Sequence, residues 1–171
     1  MKNKKMVYCA LMAAVLCVIS PLSIPVGAVP ISLATLGVML AGALLGAQLG
    51  TLSVLIYLVL GWVGLPVFAG YSSSFTCLFG PTGGYMIGYL FLAFLTGFLY
   101  KKKTLPYLVG SILVGELVLY LLGTIWFMFV AQTSLVSALT ICVLPFIPGD
   151  IAKIVLVCLL LPQLEKVVHF D

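Results

Sequence analysis

Residues 31–65 read ISLATLGVMLAGALLGAQLGTLSVLIYLVLGWVGL, 35 residues without a charged side chain. As one helix at about 1.5 Å rise per residue this run would measure roughly 50 Å, well beyond a ~30 Å hydrocarbon core. It is too long for a single crossing, and Gly46-Ala47-Gln48-Leu49-Gly50 supplies the break. The pattern predicts two helices, 31–45 and 51–65, each short for a full crossing and joined by a tight turn. They must be helices, because a lipid-facing backbone has to satisfy its hydrogen bonds within its own segment.

The same composition extends outward from this stretch. The 95 residues from Met6 to Tyr100 carry no formal charge, and in the whole chain of 171 residues only 7% are charged. A soluble domain carries about 25%. With 64% apolar residues and a mean hydropathy of +1.33, the chain reads as an all-α integral membrane protein. Gly, Pro and Lys punctuation divides it into six transmembrane helices, at about 6–23, 31–45, 51–65, 83–100, 105–130 and 148–168, in one domain over residues 1–171. Pro148 suits a helix's first turn, and Pro162 is expected to kink or end the last span. Val26-Gly27-Ala28 imitates a signal-peptide cleavage site, but the Pro-rich gap before it is long and the preceding run can span, so a retained first helix is expected.

Lysines orient the bundle. Lys2, Lys4 and Lys5 precede the first span, Lys101, Lys102 and Lys103 follow the fourth, and Lys166 follows the sixth, always an even number of crossings apart. N- and C-termini are therefore expected in the cytoplasm. The connectors at the opposite face, 21–30, 66–82 and 132–147, are longer and rich in Gly, Pro and Ser, so the elaborated face is the outer one. The basic residues form no extended stripe, which excludes nucleic acid as a partner and leaves the lipid bilayer. Cys9, Cys17, Cys77, Cys142 and Cys158 have no metal-binding spacing, and His169 is the lone histidine, so no metal site is expected.

Few residues can carry chemistry. Asp150 and Lys153 stand at i and i+3 on one helical face, one turn after Pro148-Gly149. Each would cost about 2.5–3.5 kcal/mol at a helix centre in lipid, so the pair is expected to face the bundle interior or a wet pocket at the outer end of its helix. Two readings stand: an outer-leaflet salt bridge, or an acceptor and donor placed together for a ligand. Glu116 falls near mid-membrane with Tyr120 at i+4, and reads either as a proton relay or as a carboxyl bonded to a neighbouring helix. Small residues every fourth position, Gly42, Gly46 and Gly50 and again Gly80, Gly84 and Gly88, read as close helix packing. Ala10 and Ala14 leave a smooth stripe on the first helix. The chain contains no G-x-x-x-x-G-K-[ST], G-x-S-x-G or H-E-x-x-H. Those absences exclude the corresponding ATPases and hydrolases, and any ATP-driven transport would need a partner.

The wording of several segments goes further. Val29-Pro30-Ile31-Ser32-Leu33 with Thr35-Leu36-Gly37-Val38, Ala41-Gly42-Ala43-Leu44-Leu45-Gly46, Gly64-Leu65-Pro66-Val67-Phe68-Ala69-Gly70, Gly80-Pro81-Thr82-Gly83-Gly84-Tyr85, and Pro145-Phe146-Ile147-Pro148-Gly149-Asp150 with Lys153 together resemble the BioY family, in order and over nearly the whole chain. Tyr120, Gly123 and Trp126 are similar to its fifth-helix pattern. The resemblance implies a substrate-binding S component of an energy-coupling-factor (ECF) transporter in a prokaryotic plasma membrane, a binding protein rather than an enzyme, with biotin as the transported ligand. The chain itself would hold no cofactor. ATP would be used by two partner ATPase subunits acting through an ECF coupling transmembrane protein, onto which Ala10 and Ala14 would dock. Asp150 and Lys153 could answer the ureido group of biotin, Tyr85, Tyr120 and Trp126 its apolar body, and the Ser72-Ser73-Ser74 run would lie in the ligand loop. Gln48 departs from the family's usual basic residue in the turn after the second helix. The alternatives are an S component for another vitamin and a proton-coupled transporter using Glu116.

Overall fold

Gly46 is the pivot of the fold. In the computed structural model, which describes residues 2–25 and 29–168, the helix Ala34–Val63 (α2) is interrupted at this residue by φ 78° and ψ 177°, a left-handed conformation that favours glycine. A Cβ placed on Gly50 would strike the backbone of Ala41 and Gly42. In a continuous helix residues 41 and 50 would lie about 13.5 Å apart, so the chain reverses at Gly46 and its two limbs, 34–45 and 47–63, run side by side. The expected turn of residues 46–50 is thus confined to one residue, and Ala47 to Gly50 are already helical. Glycine's left-handed conformation alone makes the reversal, so no longer loop is required.

The limb 34–45 is buried on every side, which explains why it is apolar all round with Thr35 as its one polar side chain. It is wrapped by Lys2–Ile19 (α1), by the return limb and by Gly83–Leu99 (α3), which packs in turn on Leu105–Ala131 (α4). Part of the glycine spacing serves these contacts, whereas Gly46 makes the reversal and Gly80 lies in the connector before α3, where a Cβ would meet only ordinary contacts. A Cβ on Gly42 would meet the Ala93 backbone, one on Gly84 Trp126 and the Leu122 carbonyl, and one on Gly88 Leu119, so the helices approach where only glycine leaves room. Ile147–Glu165 (α6) closes the bundle against α2 and α4, after the short helix Leu135–Cys142 (α5). The outside is apolar: Val18 is 71% exposed, Leu117 63% and Phe129 73%. Such an inverted surface belongs in lipid. Ala34–Val63, Leu105–Ala131 and Ile147–Glu165 are each long and apolar enough to cross a membrane, the first folding back on itself.

Several boundaries differ from the sequence reading. α1 begins at Lys2 rather than near Met6 and ends at Ile19 rather than Ser23, because lysines mark a membrane boundary without interrupting a helix. Ser23–Ile24 (β1) and Ile31–Ser32 (β2) form a small antiparallel hairpin, with Ser23 opposite Ser32, in a stretch read only as a connector. α5 falls inside the connector 132–147. α6 continues through Pro162 to Glu165, since the one backbone bond that proline removes lies in a final turn that frays anyway. Val26-Gly27-Ala28 and His169 lie outside the described residues.

The two ends of the bundle are chemically opposite. The start of α1, the Gly46 reversal, the loop after α3 and the end of α6 meet at one end: Cys9 Sγ donates to the Leu49 carbonyl, Gly97 lies against Gly46 and Ala47, and Lys103 pairs with Glu165 at 2.5 Å. This end carries Lys4, Lys5, Lys101 to Lys103 and Lys166. Lys101, Lys102 and Lys103 each sit over an aromatic ring, of Phe98, Tyr107 and Tyr100 respectively. Beyond this end, the charged side chains among the described residues are Asp150, Lys153 and Glu116.

Candidate functional site

The first turn of α6 brings two charges into the bundle. Asp150 is 4% and Lys153 5% exposed, and Lys153 Nζ donates to Asp150 Oδ1 at 2.9 Å. Their i, i+3 spacing on one helix makes the pairing local, and other elements complete it. The Tyr120 hydroxyl on α4 donates to Asp150 Oδ2. The Thr35 hydroxyl, in the first turn of α2, accepts from Lys153 Nζ at 2.8 Å and donates to Asp150 Oδ1 at 3.5 Å. Three helices thus converge on one neutral unit. Removing either charge would strand its buried partner, a loss of about 3–5 kcal/mol when a buried pair is broken.

This unit lies in the wall of a cavity of about 200 Å³. Tyr57, Phe68, Tyr85, Met86, Tyr89 and Phe146 form much of its apolar surround, and Ser72 and Thr82 add polar groups from the segment joining α2 to α3. Tyr85 is held rigidly. Its hydroxyl donates to the Cys142 carbonyl at 2.7 Å, its ring stacks on Phe146, and it lies over Gly123, where any side chain would displace it. Phe68 meets Tyr57 edge-on beside Gly61. The cavity can therefore hold a compact, largely apolar molecule whose neutral polar end offers both donors and an acceptor.

Of the residues singled out from sequence, Asp150, Lys153, Tyr85, Tyr120 and Ser72 line this cavity together. Ser73, Ser74 and Trp126 are not part of its wall. Ser74 instead caps the short 3₁₀ helix Phe75–Leu78, accepting from the Thr76 amide, and Trp126 turns its Nε1 to donate to the Gly80 carbonyl at 3.0 Å while packing on Gly83 and Gly84. Glu116 is buried on α4 one turn from Tyr120, outside the cavity wall, and its Oε1 has no hydrogen-bond partner among the described residues. Ala10 and Ala14 are exposed on α1. Thr35, Tyr57, Phe68, Tyr89 and Phe146 were not expected in the site. Thr35 lies 118 positions from Lys153, a separation at which no local spacing rule operates. No group of His, Cys, Asp and Glu among the described residues could hold a metal ion.

An all-helical membrane protein with a ligand-sized cavity beside a buried, neutralised ion pair is the class these features define. The chain belongs to the BioY family, whose sequence profile matches residues 1–170. It is 40% identical over 151 residues to biotin transporter BioY2 of Lactococcus lactis subsp. cremoris (86% of this chain, 82% of that protein), and 40% identical over 153 residues to a probable biotin transporter BioY of Pyrococcus horikoshii (90% and 91%). Among solved structures it resembles the S-component for biotin from an ECF-type ABC transporter, with a TM-score of 0.89 and 37% identity over 96% of this chain and 92% of that one. This is a family of transport proteins and not of enzymes.

Proposed function

We propose that this chain is the S component that captures biotin at the outer face of a prokaryotic plasma membrane and delivers it inward through an ATP-driven ECF complex. The observation that carries the substrate is the internally neutralised unit of Asp150, Lys153, Thr35 and Tyr120 in an aromatic-walled cavity. An added carboxylate or ammonium would leave this unit with a net buried charge, whereas a neutral cyclic urea brings two N–H donors and one carbonyl acceptor and leaves the charge balance untouched. Asp150 accepts from the urea and Lys153 donates to it, while Tyr85, Tyr89 and Phe146 enclose the sulfur ring. Relatives named as biotin transporters support this reading.

The chain crosses the membrane six times, by α1, the two limbs of α2, α3, α4 and α6, with both termini in the cytoplasm. The lysine-bearing end supports that orientation, in which the cavity, at the opposite end of the bundle, opens near the outer face. Energy enters through a protein contact: a coupling membrane protein approaches the exposed Ala10 and Ala14 stripe and transmits the work of two ATPase subunits. Calorimetry on the detergent-solubilised chain tests the substrate, with 1:1 biotin binding expected without ATP; no biotin heat alongside binding of another vitamin would overturn the assignment. Ala10→Leu with Ala14→Leu is expected to keep biotin affinity within about twofold while abolishing co-purification with the coupling module and labelled-biotin uptake, since leucine side chains prevent close helix approach. Normal uptake by that variant would move the docking surface elsewhere.

A further inference from the structure

Lys153 borders two spaces. One is the main cavity; the other is a lateral groove between the β1–β2 hairpin and α6, lined by Leu22, Ser23, Ile24, Ile31, Ser32 and Leu33. An ammonium has three N–H donors, and a flexible four-carbon stem leaves their direction open unless something fixes it. Asp150, three residues away on the same helix, takes one donor. Thr35 takes the second from a different helix, and both Thr35 and Asp150 line the main cavity and not the groove. The Thr35 hydroxyl proton is directed to Asp150 Oδ1, which turns its lone pairs toward Lys153.

We propose that Thr35 is a positioning residue for ligand recognition: by holding the Lys153 ammonium on the cavity side, it aims the third N–H at the ligand's carbonyl oxygen. This deepens the biotin reading and rests on it. Two fixed donors of a tetrahedral ammonium determine the direction of the third. Without the Thr35 hydroxyl, the ammonium keeps its pairing with Asp150 but rotates about it, and the donor meant for the ligand loses its bearing.

The test uses the full chain in detergent, with Thr35→Val, which keeps the shape and removes the hydroxyl, and Thr35→Ser, which keeps the hydroxyl. Biotin is compared with 2-thiobiotin, in which sulfur, a much weaker acceptor, replaces the ureido oxygen. Thr35→Val should weaken biotin by roughly tenfold to a hundredfold, the range for a hydrogen bond to a charged group, while still eluting as monodisperse protein. Thr35→Ser should stay within about threefold of the wild type. The preference for biotin over 2-thiobiotin should collapse in Thr35→Val and persist in Thr35→Ser, a pattern that a packing role would not produce. Thr35→Ala serves the same comparison if valine disturbs packing. Biotin binding that is indifferent to Thr35→Val, equal losses in the valine and serine variants, or a preference that survives removal of the hydroxyl would each overturn the positioning role. Failure of the wild-type chain to bind biotin would overturn the functional reading and this inference together.

Discussion

Asp150 and Glu116 are both buried carboxyls among apolar helices, yet their surroundings differ completely. Asp150 has a cation from its own helix, a phenol from α4 and a threonine hydroxyl from α2, and it faces a cavity. Glu116, one turn along α4 from Tyr120, lies off the cavity wall with Oε1 unpartnered among the described residues. Desolvating an acid is costly in either place. Only at Asp150 does the fold spend three elements on offsetting that cost, and only there is the result open to a ligand. Burial of an acid in a membrane protein is thus weak evidence of function until its partners and its access to a cavity are known.

The sharpest way to break this comparison is to remove the charges at the site. Asp150→Asn and Lys153→Ala should each weaken biotin by about 2–5 kcal/mol, hence ~30-fold or more in calorimetric titrations, because the surviving charge is left buried and unpaired. Monodisperse elution of the variants must accompany the loss. If both bind as tightly as the wild type, the pair is structural and the two acids are alike after all. A smaller loss is expected from Tyr120→Phe, which removes one hydrogen bond to a charged acceptor while leaving the ion pair: about 1.5–3 kcal/mol, read as roughly tenfold or more in the dissociation constant. An equal loss for biotin and 2-thiobiotin would place its effect on Asp150 rather than on the aimed ammonium. Glu116→Gln should change biotin affinity least, within about threefold, since it preserves size and lies outside the cavity. A hundredfold loss there would make Glu116 part of the recognition machinery and reopen the proton-coupled reading.

Much of the fold was legible because its signals are local. The length of the 31–65 run demanded a division, Gly46 stood at the point of reversal, and the i, i+3 spacing of Asp150 and Lys153 announced a shared face. The short helix α5 and the β1–β2 hairpin escaped because connectors lack a periodic apolar pattern, and a two-residue strand leaves no alternation to detect. The site was legible in its charges and not in its walls. Tyr57 and Tyr89 stand in runs that are apolar throughout, where an aromatic facing a cavity and one facing lipid look the same, and Phe68 stands in the connector 66–82, which has no periodic pattern to assign it a face. Trp126 illustrates the converse. It resembled a ligand wall, yet its indole bonds the Gly80 carbonyl, a contact set by the packing of α3 against α4.

The buried limb 34–45 also bears on how the protein is made. Twelve residues of helix cover only about 18 Å, too little for the limb to settle in a ~30 Å hydrocarbon layer as an independent insertion unit. Its return limb, reached through a single glycine, is the longer and partly lipid-exposed member of the pair. On the proposed six-crossing topology, the limb would enter the bilayer as half of a helical hairpin, carried by its neighbour and enclosed by α1 and α3. Insertion, and not only the finished packing, would then depend on the reversal at Gly46.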